Sequence, residues 1–252
     1  MAERLAKFMA RSGVCSRRQA EEYIKQERVT VDGNVVSSPA FNVEGTEKIL
    51  FDGEKLPTRE ETRLWLYHKP AGLVTTHKDE RDRPTVFDNL PAGMPRVISV
   101  GRLDLNSEGL LLLTNDGDFA NKLTHPTNHI DKEYVVTIEG EITEGELAVL
   151  RAGVVENGKR MPSAKVKLLG YQNKLSRLSV IIDEGQNRQI RRMFEAIGKN
   201  IVLLKQDVFD FIILSSHFIN KNFFQCKRKD IDQHRMCLLK YHFGLLRIAF
   251  YD

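Results

Sequence analysis

Cysteine is nearly absent from this chain: three residues, Cys15, Cys226 and Cys237, in 252. No CxxC pair and no His-Cys cluster occurs, so neither a disulfide framework nor a metal site is indicated. The expectation is reduced thiols in a cytoplasmic protein. Long apolar runs are lacking too; nothing approaches the 18 or so residues of a membrane span, and no membrane association is expected. Met1-Ala2-Glu3-Arg4 is not followed by the apolar core of a secretory signal. Neither sign of charge dominates: 38 Lys and Arg face 34 Asp and Glu, a net +4. That surplus is compatible with an anionic partner without requiring one. What is present, 41% apolar and 29% charged residues, describes a globular chain with room for one or two domains.

The pattern divides near residue 60. Residues 3–11 read as a helix with Leu5, Phe8 and Met9 on one face, stopped by Gly13. Ser16 followed by Gln19 is a capping-box pattern, and it opens a second helix to about Gln26. In Val29–Val36 an Asp32-Gly33 step between β-branched runs signals a hairpin. Residues 1–56 thus form a helix–helix–hairpin module, and the polar, aperiodic residues 57–63 read as a linker. Beyond them strands dominate, at 64–67, 97–100, 110–114, 134–138, 166–169 and 178–182. Helices are expected at about 117–123, 143–152 and 187–197. The class is α+β, with a mixed, mainly antiparallel sheet over 64–205.

Residues 1–60 hold ten cations and ten acids, but 4–18 carry Arg4, Lys7, Arg11, Arg17 and Arg18 with no acid. Arg4, Lys7 and Arg11 would share one face of the first helix. Arg17 and Arg18 sit at the start of the second, against the helix dipole, a cost relieved by a phosphate. A charge run alone is as often a solvated face. The order Arg4–Glu21, with its Ser16-Arg17-Arg18 step, followed by Val29-Thr30-Val31-Asp32-Gly33, resembles the RNA-binding module of one small-subunit ribosomal protein and of many RNA enzymes. The resemblance implies recognition of structured RNA by shape and phosphate.

Asp104 lies in Gly101-Arg102-Leu103-Asp104, between two apolar strands, so the sheet places its carboxylate without pairing it. A lone Asp in a loop is ordinarily a turn residue or a cap. The longer string, Gly101–Asp104 followed by Ser107-Glu108-Gly109-Leu110-Leu111-Leu112-Leu113-Thr114-Asn115-Asp116-Gly117, resembles the second motif of the RsuA/RluB pseudouridine synthases. Three further stretches resemble that family in its order: Lys69-Pro70-Ala71-Gly72, Lys132-Glu133-Tyr134, and Glu184-Gly185-Gln186-Asn187-Arg188-Gln189-Ile190-Arg191-Arg192-Met193. With the first module included, the resemblance covers roughly residues 2–200. Ile190, Met193, Phe194 and Ile197 also give the last stretch an apolar helix face, with Gly198 as its stop.

The resemblance implies an rRNA pseudouridine synthase that breaks the glycosidic bond of a uridine, turns the base and forms a carbon–carbon bond. Nothing is oxidised and no group is donated, so it implies no cofactor. Asp104 becomes the catalytic carboxylate, Tyr134 the residue stacked on the extruded base, and Arg191 the cation that keeps Asp104 charged. Whether Asp104 attacks sugar or base, or removes a proton, stays open. Arg102, Arg188, Gln189 and Arg192 join the five cations of the first module as RNA-binding candidates. The partner is ribosomal RNA or a subunit precursor, more in the style of the large-subunit branch, bound by a monomer. Residues 206–252 depart from the family: no proline, one glycine (Gly244) and two of the three cysteines. Their composition suggests an altered reading frame or a degraded end, and keeps a catalytically impaired RNA-binding protein as the alternative.

Overall fold

The computed structural model describes the backbone of residues 2–58, 60–212, 221–227, 236–239 and 245–251, and side chains as far as Asp207. The chain divides into two compact units. One comprises residues 1–63 with 93–98 and 115–117; the other holds 64–92, 99–114 and 118–252.

The first unit contains β1 (Glu3–Arg4), α1 (Leu5–Arg11), α2 (Arg17–Lys25), β2 (Val29–Val31), β3 (Asn34–Val35), β4 (Asn42–Val43), β5 (Ile49–Phe51) and β6 (Glu54–Lys55). The helix expected from residue 3 starts at Leu5. Glu3 and Arg4 are extended instead and pair with Val43 and Asn42, so Arg4 does not share a face of α1 with Lys7 and Arg11. The Ser16 cap forms as its spacing requires. The Ser16 hydroxyl accepts from the Gln19 N–H at 3.2 Å, and the Gln19 side chain accepts from the Ser16 N–H at 2.9 Å. Asp32 and Asp52 take left-handed φ at the tips of the two hairpins, which pair β2 with β3 and β5 with β6. Leu5, Met9, Ala20, Ile24, Val29, Val43 and Ile49 close one core between helices and sheet. Free Cys15 lies in it, and burial pushes its thiol pKa up, leaving it unreactive. The expected linker is anchored. Asn115 accepts from the Arg63 N–H and donates to the Glu61 carbonyl, and Thr62 donates to Asp116 at 2.6 Å.

The second unit is built on β7 (Leu64–Lys69), β8 (Ile98–Val100), β9 (Glu108–Thr114), α3 (Gly117–Thr124), β10 (Lys132–Glu139), α4 (Glu144–Ala152), β11 (Val155–Glu156), β12 (Lys159–Arg160), β13 (Lys165–Gln172), β14 (Leu175–Ile182), α5 (Gln189–Ala196), β15 (Ile201–Ile212), β16 (Lys221–Lys227), β17 (Met236–Leu239) and β18 (Leu245–Tyr251). Most of these strands form one sheet in the order β13-β14-β10-β15-β9-β7-β17. β13-β14, β14-β10, β10-β15, β15-β18, β9-β7 and β7-β17 pair antiparallel, whereas β15-β9 and β16-β18 pair parallel. The buried run Leu110–Leu113 explains why β9 sits inside the sheet, covered on both faces. Thr143 and Glu146 cap α4 reciprocally, as Ser16 and Gln19 cap α2.

One glycine decides the middle of this sheet. Gly109 has φ +105, and a Cβ there would collide with the main chain of Gln206. The glycine therefore lets β9 and β15 approach in their short parallel register, Glu108 against Lys205 and Gly109 against Gln206. β15 continues through residue 206 without a break. The expectation of an aberrant end covers residues 206–252; where their backbone is described, β15 to β18 belong to the sheet, and the remainder lies outside the described residues.

Candidate active site

The site is assembled on the connection from β8 to β9. Gly101 turns the chain at φ +77, and the main-chain oxygens of residues 103–107 are taken by donors. Thr75 Oγ1 donates to Leu103 O at 2.9 Å, the Gly72 N–H to Leu105 O at 2.7 Å, and the Ser107 N–H to Asp104 O at 3.0 Å. The Nζ of Lys69, at the end of β7, donates to Pro70 O at 3.0 Å, Asp104 O at 3.1 Å and Ser107 O at 2.8 Å. Lys69 is wholly buried. Burial lowers its pKa to about 8, opposed by the charges of Asp104 and Glu108. This ammonium holds the loop in a shape that points backbone acceptors inward and leaves the Asp104 carboxylate one-third exposed.

Arg191 reaches the same loop from α5. Its Nη2 donates to Asn106 O at 2.9 Å and Ser107 Oγ at 3.3 Å, and its Nε lies 3.8 Å from Asp104 Oδ2. That Nε is buried without a hydrogen-bond partner. The guanidinium is thus an ion-pair neighbour of the carboxylate and a clamp on its loop, with one donor in reserve. Tyr134 is nearly buried on β10. Burial first, then the negative charge of Asp104, raises its phenol pKa, so the ring stays neutral. A register shift between Glu133 and Tyr134 against β15 sets the tyrosine beside a bulge, a common device for aiming a side chain at a site. Two residues upstream, Lys132 Nζ donates to Ile130 O at 2.9 Å and Asp183 O at 3.1 Å, fastening the start of β10 to the end of β14.

The structure therefore brings Asp104, Tyr134 and Arg191 together. The other expected residues divide. Arg102 is exposed and makes no ion pair among the described residues. Arg188 occupies the left-handed region at the start of α5, φ +48, with Nη2 3.6 Å from Glu195. Gln189 is 3% exposed, and its Oε1 accepts from the Gln186 N–H at 3.1 Å. Arg192 is bound by Glu156 through Nε (2.8 Å to Oε2) and Nη2. In the first unit Lys7 and Arg11 both pair with Glu3, and Arg17 Nε lies 3.7 Å from Glu21. Arg4 and Arg18 are exposed. Lys69 is the residue that sequence reasoning passed over. It stood in view in Lys69-Pro70-Ala71-Gly72, but three of its acceptors lie more than thirty residues away, beyond any local pattern.

On the mixed sheet of the second unit a loop carboxylate is thus flanked by a guanidinium and a buried tyrosine, and the first unit is a helix-and-hairpin module. The model of the RNA pseudouridylate synthase family matches residues 63–196, and that of the S4 domain matches residues 3–49. The chain belongs to the RNA pseudouridylate synthase family and is an isomerase with an N-terminal S4 domain. It is 44% identical over 218 residues to the ribosomal large subunit pseudouridine synthase B of Bacillus subtilis (strain 168), covering 84% of this chain and 87% of that protein. It is 37% identical to the protein of the same name from Pseudomonas aeruginosa, over 98% of this chain and 64% of that one. A solved pseudouridylate synthase is similar in structure, with a TM-score of 0.61 at 28% identity, over 94% of this chain and 96% of that one. No helix among the described residues is long and apolar enough to cross a membrane.

Proposed function

We propose that this protein converts a uridine of large-subunit ribosomal RNA to pseudouridine, as a cytoplasmic monomer, with Asp104 as the catalytic carboxylate. The observation that carries the reading is the clamped loop. Lys69 and Arg191 both bond to main-chain oxygens within three residues of Asp104, while the carboxylate itself keeps free lone pairs. Such a group is pre-organised to act on a substrate atom rather than to cap a turn. The names of the relatives support large-subunit rRNA as the substrate.

In this reading the target uridine leaves its stack, at a cost of a few kcal/mol, and Tyr134 packs against the extruded base. A neutral phenol ring suits that contact. Asp104 acts on the sugar or base as the bond from N1 to the ribose breaks and the bond from C5 forms. The proton lost from C5 is balanced by one gained at N1. Arg191 compensates the charge of the carboxylate and holds Asn106 and Ser107 in place. Arg102 and Arg188 contact flanking phosphates, and Arg4 and Arg18 contact RNA from the first module. The test is to map pseudouridines in large-subunit rRNA from cells with and without the gene, then to restore the missing one with purified protein. Unchanged maps overturn the reading.

The composition of residues 206–252 favours one second reading, a chain that binds RNA but is catalytically impaired. Single-turnover assay of the purified protein on unmodified rRNA separates the two.

A further inference from the structure

We infer that Arg28 is a stacking platform for an unpaired RNA base. The inference rests on the RNA-binding reading above and goes beyond it, because no expected RNA contact involves this residue. Its guanidinium carbon lies 4.6 Å from the ring centre of Tyr23 and 4.9 Å from that of Phe51, and those two rings are themselves stacked at 4.9 Å. Asp52 fixes its rotation from the other side. Arg28 Nε donates to Asp52 Oδ1 at 2.9 Å, and Nη2 donates to Oδ2. The main chain closes the arrangement: the Arg28 N–H donates to Tyr23 O at 3.1 Å, and the Asp52 N–H to Arg28 O at 3.0 Å. α2, the β2 strand that follows Arg28, and the β5–β6 turn thus converge on one side chain. That side chain is still 40% exposed.

An isolated surface ion pair would contribute little and would not need two aromatic rings beneath it. The arrangement instead immobilises a planar cation whose charge Asp52 already balances. Balanced charge makes a poor phosphate contact, whereas the flat guanidinium face and its remaining N–H edge suit a nucleobase. Lys7, Arg11, Arg17 and Lys25 of the same module are also paired with carboxylates. A module with so many neutralised cations needs affinity from something besides charge, and a fixed stacking surface supplies it.

The experiment uses the full chain and transcribed large-subunit rRNA, with affinity measured across a salt series. Arg28→Lys keeps the charge and removes the planar fork. It should weaken binding at least about fivefold, the loss of one stacked base, with an unchanged slope of log K against log salt. Base-specific chemical probing should show one nucleotide regaining reactivity while backbone protections persist. Asp52→Asn, which loosens the clamp but keeps the guanidinium, should give a smaller loss at the same nucleotide. Unchanged affinity and an unchanged base footprint in Arg28→Lys overturn the platform. So does full rescue by Lys of a slope lowered in Arg28→Ala, which would mean that the side chain meets a phosphate. Failure of the unaltered protein to bind overturns the underlying substrate reading as well. Melting temperatures taken alongside identify a variant that fails to fold; the Asp52→Asn footprint then decides.

Discussion

The ammonium of Lys69 donates to the main-chain oxygen of Asp104 at 3.1 Å, from a side chain with no exposure to solvent. The residue that holds the proposed catalytic carboxylate in position therefore bonds to its backbone, 35 positions away, and leaves its carboxylate oxygens alone. Lys69→Met should take this donor from the Pro70 and Ser107 carbonyls, at about 1–3 kcal/mol for each one left unsatisfied, while Asp104 O keeps its bond from the Ser107 N–H. Part of that is offset by removal of a buried charge. kcat should fall by on the order of a hundredfold, while rRNA affinity changes little. Single-turnover rates beside filter binding separate the two quantities.

The same residue sets a pH limit. Its folded-state pKa, about 8, lies below the ordinary value of 10.5. The folded state thus favours the neutral amine, and the cost of burying the ammonium is present below pH 8 and relieved between 8 and 10.5. Loop clamping weakens over the same range. Activity should decline above about pH 8 although Lys69 itself adds no loss of stability there. A pH–rate profile read against urea midpoints at each pH checks this.

Gly109→Ala should destabilise the second unit by about 3 kcal/mol or more, combining a collision with the Gln206 main chain and a strained positive φ. Urea unfolding measures it. A loss below about 1 kcal/mol would mean that β9 and β15 do not need their close approach.

Arg191→Lys should retain a charge near Asp104 but lose the simultaneous bonds to Asn106 O and Ser107 Oγ. The expected result is a kcat loss of at least about tenfold at unchanged rRNA affinity, with Arg191→Ala lower still.

Arg18→Glu should reduce the slope of log K against log salt by about one for each phosphate that the arginine no longer neutralises. Lys7→Gln should reduce it less, because Glu3 already pairs with Lys7.

The periodic elements were legible in the sequence. The apolar stripe of α2, the Asp32-Gly33 turn and the leucine run of β9 are local signals that tertiary packing reinforces. Asp104 was legible as a carboxylate between two strands, and the resemblance gave it partners. Two kinds of information were out of reach. The first is partners supplied from afar: Glu156 for Arg192, Asn115 for the 57–63 linker, and the loop carbonyls for Lys69. The second is local geometry that a pattern cannot resolve. The apolar spacing includes Glu3 in a helix, whereas it pairs with Val43 as a strand and draws Lys7 and Arg11 toward itself. In Arg28, an ordinary surface cation in sequence, only the folded chain stacks Tyr23 beneath the guanidinium and places Asp52 beside it.

The central claim is that Asp104 performs the chemistry and its loop exists to hold it. Asp104→Asn preserves the size of the side chain and every main-chain bond to Lys69 and Arg191. The measurement is pseudouridine formation on unmodified large-subunit rRNA, quantified by mass beside rRNA affinity. The account predicts a loss on the order of a thousandfold or more with affinity within about twofold. Turnover within about tenfold of the unaltered protein would contradict it.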